Sequence, residues 1–259
     1  IVAYLNDGIL EENGWRISIE KIEGQLTSDI DVHNLYLRKT DGSAVFYTDH
    51  ATINFDLSQI LSGKWAVSEA RSDNALVTIE RTSQKEMGEL SFVTDLSRNG
   101  LSIRELSIGR SALIVRKGED ETLHSFSFEG SVGTRAGGLT IALSEFRFGD
   151  LKGENNLRLV DGEFALSAAN LVATEVTGTF NQTRFDFSSH IGFYPDTEIL
   201  LDATVRNVIA GRYMSPDAAA ILGADTVDLQ LQMETDLISG TVDGLIYDSR
   251  TYGIIGEVD

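Results

Sequence analysis

The stretch "ISIEKIEGQLTSDIDVHNLYLRKTDGSAVFYTDHATINFDL", Ile17 to Leu57, alternates apolar with polar residues, turns at Asp41-Gly42 and alternates again. Period two places successive side chains on opposite faces of an extended chain, so the pattern predicts strands that are greasy on one side only. A strand buried on both faces needs a continuous apolar run, and this stretch contains none. The fold therefore turns on what lies against that single apolar face.

The same alternation fills most of the chain. In "TVDLQLQME", Val227, Leu229, Leu231 and Met233 point one way, while Thr226, Asp228, Gln230, Gln232 and Glu234 point the other. Ile17 and Ile19, then Ala51, Ile53 and Phe55, then Val77 and Ile79 follow the same rule, as do Phe185 and Phe187. Ile199, Leu201, Ala203 and Val205 form another such set. Asp41-Gly42, Asp161-Gly162 and Asp243-Gly244 read as hairpin turns between alternating runs. Short spacings of this kind favour antiparallel meanders over βαβ units. Helices are few: Asp56 caps "LSQILS" with Gln59 as in a capping box and Gly63 as the stop. Ser215-Pro216-Asp217 opens a second helix, and 206–214 reads as helical before it. The expected fold is all-β and mostly antiparallel, with a few short helices. It reads as one elongated segment over 1–259, with 83–100 as the place where it could divide.

Apolar residues also recur at positions 0, +2, +5 and +7. The sets are Ile30, Val32, Leu35, Leu37; Leu101, Ile103, Leu106, Ile108; Ile141, Leu143, Phe146, Phe148; and Leu166, Ala168, Leu171, Ala173. Trp65, Val67 and Ala70 fit three of the four places. A step of three reverses the parity of the alternation, so both halves face one side only if two residues share one slot, as in a β-bulge. Repeated bulges along one face would curve the sheet with that face concave. The starts are too irregularly spaced for a parallel β-helix.

Composition narrows the function classes. The 259 residues carry a formal net charge of −19 with a pI near 4.5, and there is no cysteine. A phosphate backbone needs a basic patch, so nucleic acid is not an expected partner. Disulfides and thiolate chemistry are excluded. The opening "IVAYLNDGIL" is interrupted by Asn6, Asp7 and Gly8, well short of the roughly 20 apolar residues that span a bilayer. With no basic n-region and abrupt ends, the chain reads as a piece of something longer. His33, His50, His124 and His190 stand singly without metal-ligand spacing, and the glycine-rich "GSVGTRAGG" lacks a phosphate-loop pattern. No Ser sits in a nucleophile elbow, so no catalytic residue, metal or cofactor is assigned and an enzyme is not expected.

What remains is the greasy face. Either the sheet fills it with its own side chains, as in a closed sandwich, or it stays open for a ligand or partner. "WRISIEKIEGQLTSDIDVHNLYLRKTDGSAVFYTDHATINFDLSQILSGKWAVSEARSDNALVTIER" resembles the N-terminal region of the TamB branch of the AsmA-like, bridge-like lipid transfer proteins. The shared shape is a strand ending in "IEG", the strand "DIDVHNLYLRKTDG", then "ATINFDLSQILSGKWAVSEARSDNALVTI". The likeness covers residues 8–82, and beyond them only the repetitive β character. It implies a long, curved and twisted, mostly antiparallel sheet forming a half-pipe groove, a β-taco with a hydrophobic interior, in the periplasm and anchored to the inner membrane by an N-terminal helix. "IVAYLNDGILEE" would follow that helix. It further implies phospholipid transport to the outer membrane, with acyl chains as the partner held by the groove. An outer-membrane barrel of the Omp85 type would dock through a region this chain does not contain. Each buried CH₂ contributes about 0.8 kcal/mol, and an interior without polar anchors would let lipid slide. The groove-lining residues on this reading are the alternating and repeated sets above: Ile17, Ile19, Ile53, Phe55, Val77, Ile79, the 30–37, 101–108 and 141–148 quartets, and Val227, Leu229, Leu231 and Met233. The alternatives are a scaffold that assists assembly of outer-membrane proteins and a closed β-sandwich.

Overall fold

The computed structural model describes residues 14–25, 27, 29–62, 64, 66–80, 93–94, 97, 100, 102–135, 137–150, 155–192, 198–209, 226–234, 237–242, 245–250 and 253–258. Its strands are β1 (Trp15–Gly24), β2 (Asp29–Lys39), β3 (Ala44–Phe55), β4 (Ala66–Ser72), β5 (Leu76–Glu80), β6 (Ser102–Lys117), β7 (Asp120–Arg135) and β8 (Gly138–Asp150). They continue as β9 (Asn156–Leu166), β10 (Asn170–Phe180), β11 (Thr183–Gly192), β12 (Glu198–Ile209), β13 (Thr226–Glu234), β14 (Leu237–Val242), β15 (Leu245–Arg250) and β16 (Gly253–Val258). All sixteen belong to one sheet, almost wholly in chain order, mostly antiparallel and curved without closing into a barrel. The all-β curved sheet read from the sequence is the fold. The closed sandwich is not, since no second sheet packs on this one among the described residues.

One connection breaks the meander. β4 and β5 pair with successive stretches of β3, β4 with Ala51–Phe55 and β5 with Ala44–Tyr47, and both lie parallel to β6, Val67 beside Ile103 and Ala70 beside Leu106. A parallel neighbour needs a return crossover rather than a tight turn. Val93, in that connection, is fully buried. The sheet is continuous on both sides of 83–100 through these pairs.

The short helix α1 (Leu57–Leu61) starts as its sequence requires: the Asp56 carboxylate accepts from the Gln59 amide at 3.3 Å and from the Ser58 hydroxyl at 2.6 Å. The Gly63 stop, Trp65 and the segment 210–225, with its Ser-Pro-Asp helix start, lie outside the described residues. Residues 206–209 are strand and not helix, because Val208 pairs with Val227 and is buried in the sheet.

Asp41-Gly42 turns β2 into β3, Gly42 taking φ +78°. Asp161-Gly162 does not turn. It lies inside β9, where Gly162 at φ +152° lets the strand kink against Val176 of the next strand. Asp243 and Gly244 lie outside the described residues, though Val242 and Leu245 pair on either side of them. A methyl group on Gly162 would stand 2.9 Å from Val176 Cγ2, and Val176 is fully buried with no room to retreat. Gly162→Ala is therefore expected to cost about 2 kcal/mol, read as a lowered urea midpoint with an unchanged slope.

The parity reversals are real, and they are arranged in ranks. In β6 the register with β7 slips by one residue between Ile103 and Leu106, and in β8 the register with β7 slips at Ser144. β4 slips against β3 at Ser68. β10 slips against β11 between Ala173 and Val176, with Glu175 at φ +50°. These are two-against-one bulges, which bend and twist a sheet. The Ile30–Leu37 case differs: β2 keeps unbroken register with both β1 and β3. There Asn34 adopts φ +51° and reverses the parity without an extra residue, so the same-side outcome is reached by a left-handed kink. The fourth set is not a bulge at all. Leu166 and Leu171 are paired across the β9–β10 hairpin, and Ala168 lies in its turn.

Candidate functional site: one continuous apolar face

Residues directly opposite in a ladder share a face, so register alone traces the surface from strand to strand. One row runs Val32, Ala51, Ser72, Ile108, Phe128, Phe146, Leu159, Gly178, Phe185, Val205, Leu229. A second joins Phe55, Val67, Ile103, Val132, Ile141, Phe164, Ala173, Ser189, Leu201 and Met233. Ile30, Ile53, Ala70, Leu106, Gly130 and Leu143 form a third between them. The reversals keep these rows on one side; a strict alternation would have carried half of each strand's apolar residues to the other face. From β1 to β13 the apolar face crosses eleven strand spacings, about 50 Å at about 4.8 Å each.

Nearly every residue expected in the groove lies on this face. Ile17 and Ile19 stand opposite Leu37 and Leu35, and Val77 lies between Phe46 and Leu113. Phe148 lies between Phe126 and Leu157, and Leu231 stands opposite Ala203. Ile79 belongs to the face at the rim and is 39% exposed. Leu101 lies outside the described residues; the backbone of Val227 pairs with Val208, but its side chain is outside them too. Sequence reasoning left Phe126, Phe128, Leu157, Leu159 and Val176 unassigned. "SFSF" at 125–128 carried the ordinary alternation signal for the first two, whereas Val176 is reached only through the bulge in β10.

Burial is deepest in two patches. Leu143, Leu159, Ala173 and Val176 form one, walled by Phe128, Phe146, Phe164, Phe185 and Phe187. Ile30, Val32 and Ala51 form the other, with Ile19, Leu35, Ile53 and Phe55 against them. Val176 is 0% exposed and Val32 is 3% exposed in a single-layer sheet. A flat layer would leave both faces open to water, so the sheet has to curve around this side.

The interior is not purely apolar. Thr48 and Ser72 are buried on it between the two patches, and Ser111 beside them. The Thr48 hydroxyl donates to the His50 carbonyl at 2.9 Å and lies 2.8 Å from the Ser72 hydroxyl, which therefore donates to it. Ser111 Oγ accepts from the Ala75 amide at 3.0 Å where β4 gives way to β5. The Thr48 and Ser72 hydroxyls are thus satisfied by each other and the His50 carbonyl. His124 is different: it lies on the apolar face opposite Leu113, stacked on Phe148 with centroids 4.9 Å apart. Its buried Nδ1 has no partner among the described residues. His33 and His50, far apart in sequence, are cross-strand neighbours on the polar face with ring centroids 5.2 Å apart. Each bonds a carboxylate, His33 to Glu23 at 3.1 Å and His50 to Asp31 at 3.0 Å. No group of three or more metal-ligand side chains converges among the described residues.

The polar face carries arginine–carboxylate pairs around Glu145. Glu145 is held below the usual carboxylate range, first by the hydrogen bond from Arg147, against the cost of its partial burial, and then by Arg158.

Fold and site together define an open, curved single-sheet protein with a continuous apolar trough. No protein-family model matches the sequence, and no curated protein matches it. Among the described residues no helix is long and apolar enough to cross a membrane.

Proposed function

We propose that this chain is a periplasmic segment of a TamB/AsmA-like protein, held to the inner membrane by a helix outside this sequence, whose trough conducts phospholipid to the outer membrane. The observation that supports this reading most is the unbroken apolar face kept on one side by ranked parity reversals. A face about 50 Å long exceeds the roughly 30 Å hydrocarbon core of a bilayer, so it suits several acyl chains in file rather than one bound molecule. The satisfied Thr48–Ser72 pair offers lipid nothing to hold, which favours passage over storage. Lipid tails would lie on the rows through Phe128 and Ile141, with head groups along the open edge in water.

Mass spectrometry of an organic extract from gently purified protein tests this. The expected result is phospholipid at a stoichiometry of one or more per chain. Capture of an extended outer-membrane polypeptide in place of lipid would support the scaffold reading instead. An extract free of lipid would overturn the proposal.

A further inference from the structure

A row of arginines on the polar face marks a second candidate site. Ser127, Arg147, Arg158, Thr179, Arg184 and Arg206 are paired in turn from β7 to β12, one per strand. Arg110 stands in the β6 bulge opposite Ser127. Arginines directly opposite one another repel. Yet the register sets Arg147 against Arg158 and Arg184 against Arg206, in a chain whose net charge is −19.

One carboxylate fixes the centre of the row. Glu145 Oε1 receives Arg147 Nη2 at 3.1 Å and Arg158 Nε at 2.7 Å. A single negative charge thus pins two guanidiniums side by side, Arg158 reaching it through Nη2 as well as Nε. Asp186 takes Arg206 at 3.1 Å. Arg110 and Arg184 have no ion-pair partner among the described residues. Arg110, Arg147 and Arg158 line one open depression of about 630 Å³ with Ser127, Thr179 and Asn181; Phe126, Phe148 and Leu157 of the adjoining rows also border it, and no carboxylate lines it.

We infer that this depression binds a phosphoryl group. Planar guanidinium forks match a tetrahedral oxyanion with two bonds each, and hydroxyl and amide donors complete its shell. A lone carboxylate could use only part of such a donor set. The three arginines outnumber the carboxylates beside them, Glu145 and its ladder partner Glu129. The group could belong to a soluble phosphate ester or to a lipid head group presented at a membrane surface.

Equilibrium dialysis against radiolabelled inorganic phosphate at constant ionic strength, beside flotation with phosphatidylglycerol and phosphatidylcholine vesicles, separates the two sources. Saturable phosphate binding, weakened at least tenfold by Arg110→Gln, is the result expected for a soluble ligand. Retention on phosphatidylglycerol alone, lost in Arg110→Gln, assigns the group to a membrane surface. Arg110→Lys keeps the charge but not the fork and should fall between, which also serves if the glutamine variant misfolds. Absence of binding to both probes, or binding undiminished in Arg110→Gln and in Arg158→Gln, would overturn the inference. Lipid extracted from the trough should be the same in these variants, so either proposal can fail without the other.

Discussion

Val176→Asp is expected to abolish folding of the central sheet, while Val160→Asp, one strand away, should leave it intact. Both valines lie at the same rank of parity reversals. Val160 is one of two successive outward residues in β9 and is 43% exposed. Val176 follows the bulge in β10 and is 0% exposed, locked against Leu143, Leu159 and Ala173. A carboxylate at Val176 loses its hydration with no cation to replace it, at a cost of about 4 kcal/mol or more. That is a large part of the roughly 5–15 kcal/mol that holds a domain together. At Val160 the charge stays in water and the change should be within about 0.5 kcal/mol. Urea unfolding followed by far-UV circular dichroism reads both. Equal tolerance at the two positions would show that the bulge does not turn Val176 inward.

This contrast also marks where the sequence was legible. Period-two alternation gave the strand content and the apolar side of each strand, because a half-buried strand writes its environment into every second residue. The 0, +2, +5, +7 sets located the reversals in β2, β6 and β8, since a face kept on one side forces a step of three wherever parity changes. Four features stayed hidden. Leu166–Ala173 carries the same spacing as a bulge, yet two residues of its step form a hairpin turn; spacing alone does not distinguish a chain that reverses from one that kinks. Asp161-Gly162 fails the opposite way, a turn dipeptide used inside a strand because Gly162 must approach Val176. The parallel pairing of β4 with β6 was written in the sequence as the thirty-six-residue offset between Val67 and Ile103 and between Ala70 and Leu106. An offset shared by two strands signals register only once their direction is known. The arginine row carried no linear signal, because each member is alone in its own strand and only the ladder brings them together.

If the trough conducts lipid as proposed, the largest expected effect on transfer lies in β13, where the two faces separate most cleanly. Leu229, Leu231 and Met233 are half-buried, whereas Asp228, Gln230 and Gln232 are exposed. Leu231 stands opposite Ala203, which is 8% exposed, so it borders a covered part of the trough without being sealed in it. A photo-crosslinking residue placed in cells at each position from 228 to 233 should label phospholipid at 229, 231 and 233 only. Leu231→Asp tests the same surface by chemistry. Its carboxylate can reach water along the open side, so the destabilisation should stay near about 1–2 kcal/mol, below that at Val176. A hydrated charge in the path of acyl chains has to be crossed at the cost of dehydrating it, and that barrier should lower lipid transfer at least tenfold. Asp in place of Gln230, one residue away on the other face, should leave transfer unchanged. Crosslinks to protein instead of lipid at 229, 231 and 233, together with unfolding of Leu231→Asp as complete as that of Val176→Asp, would mean that the trough is filled by polypeptide and carries nothing.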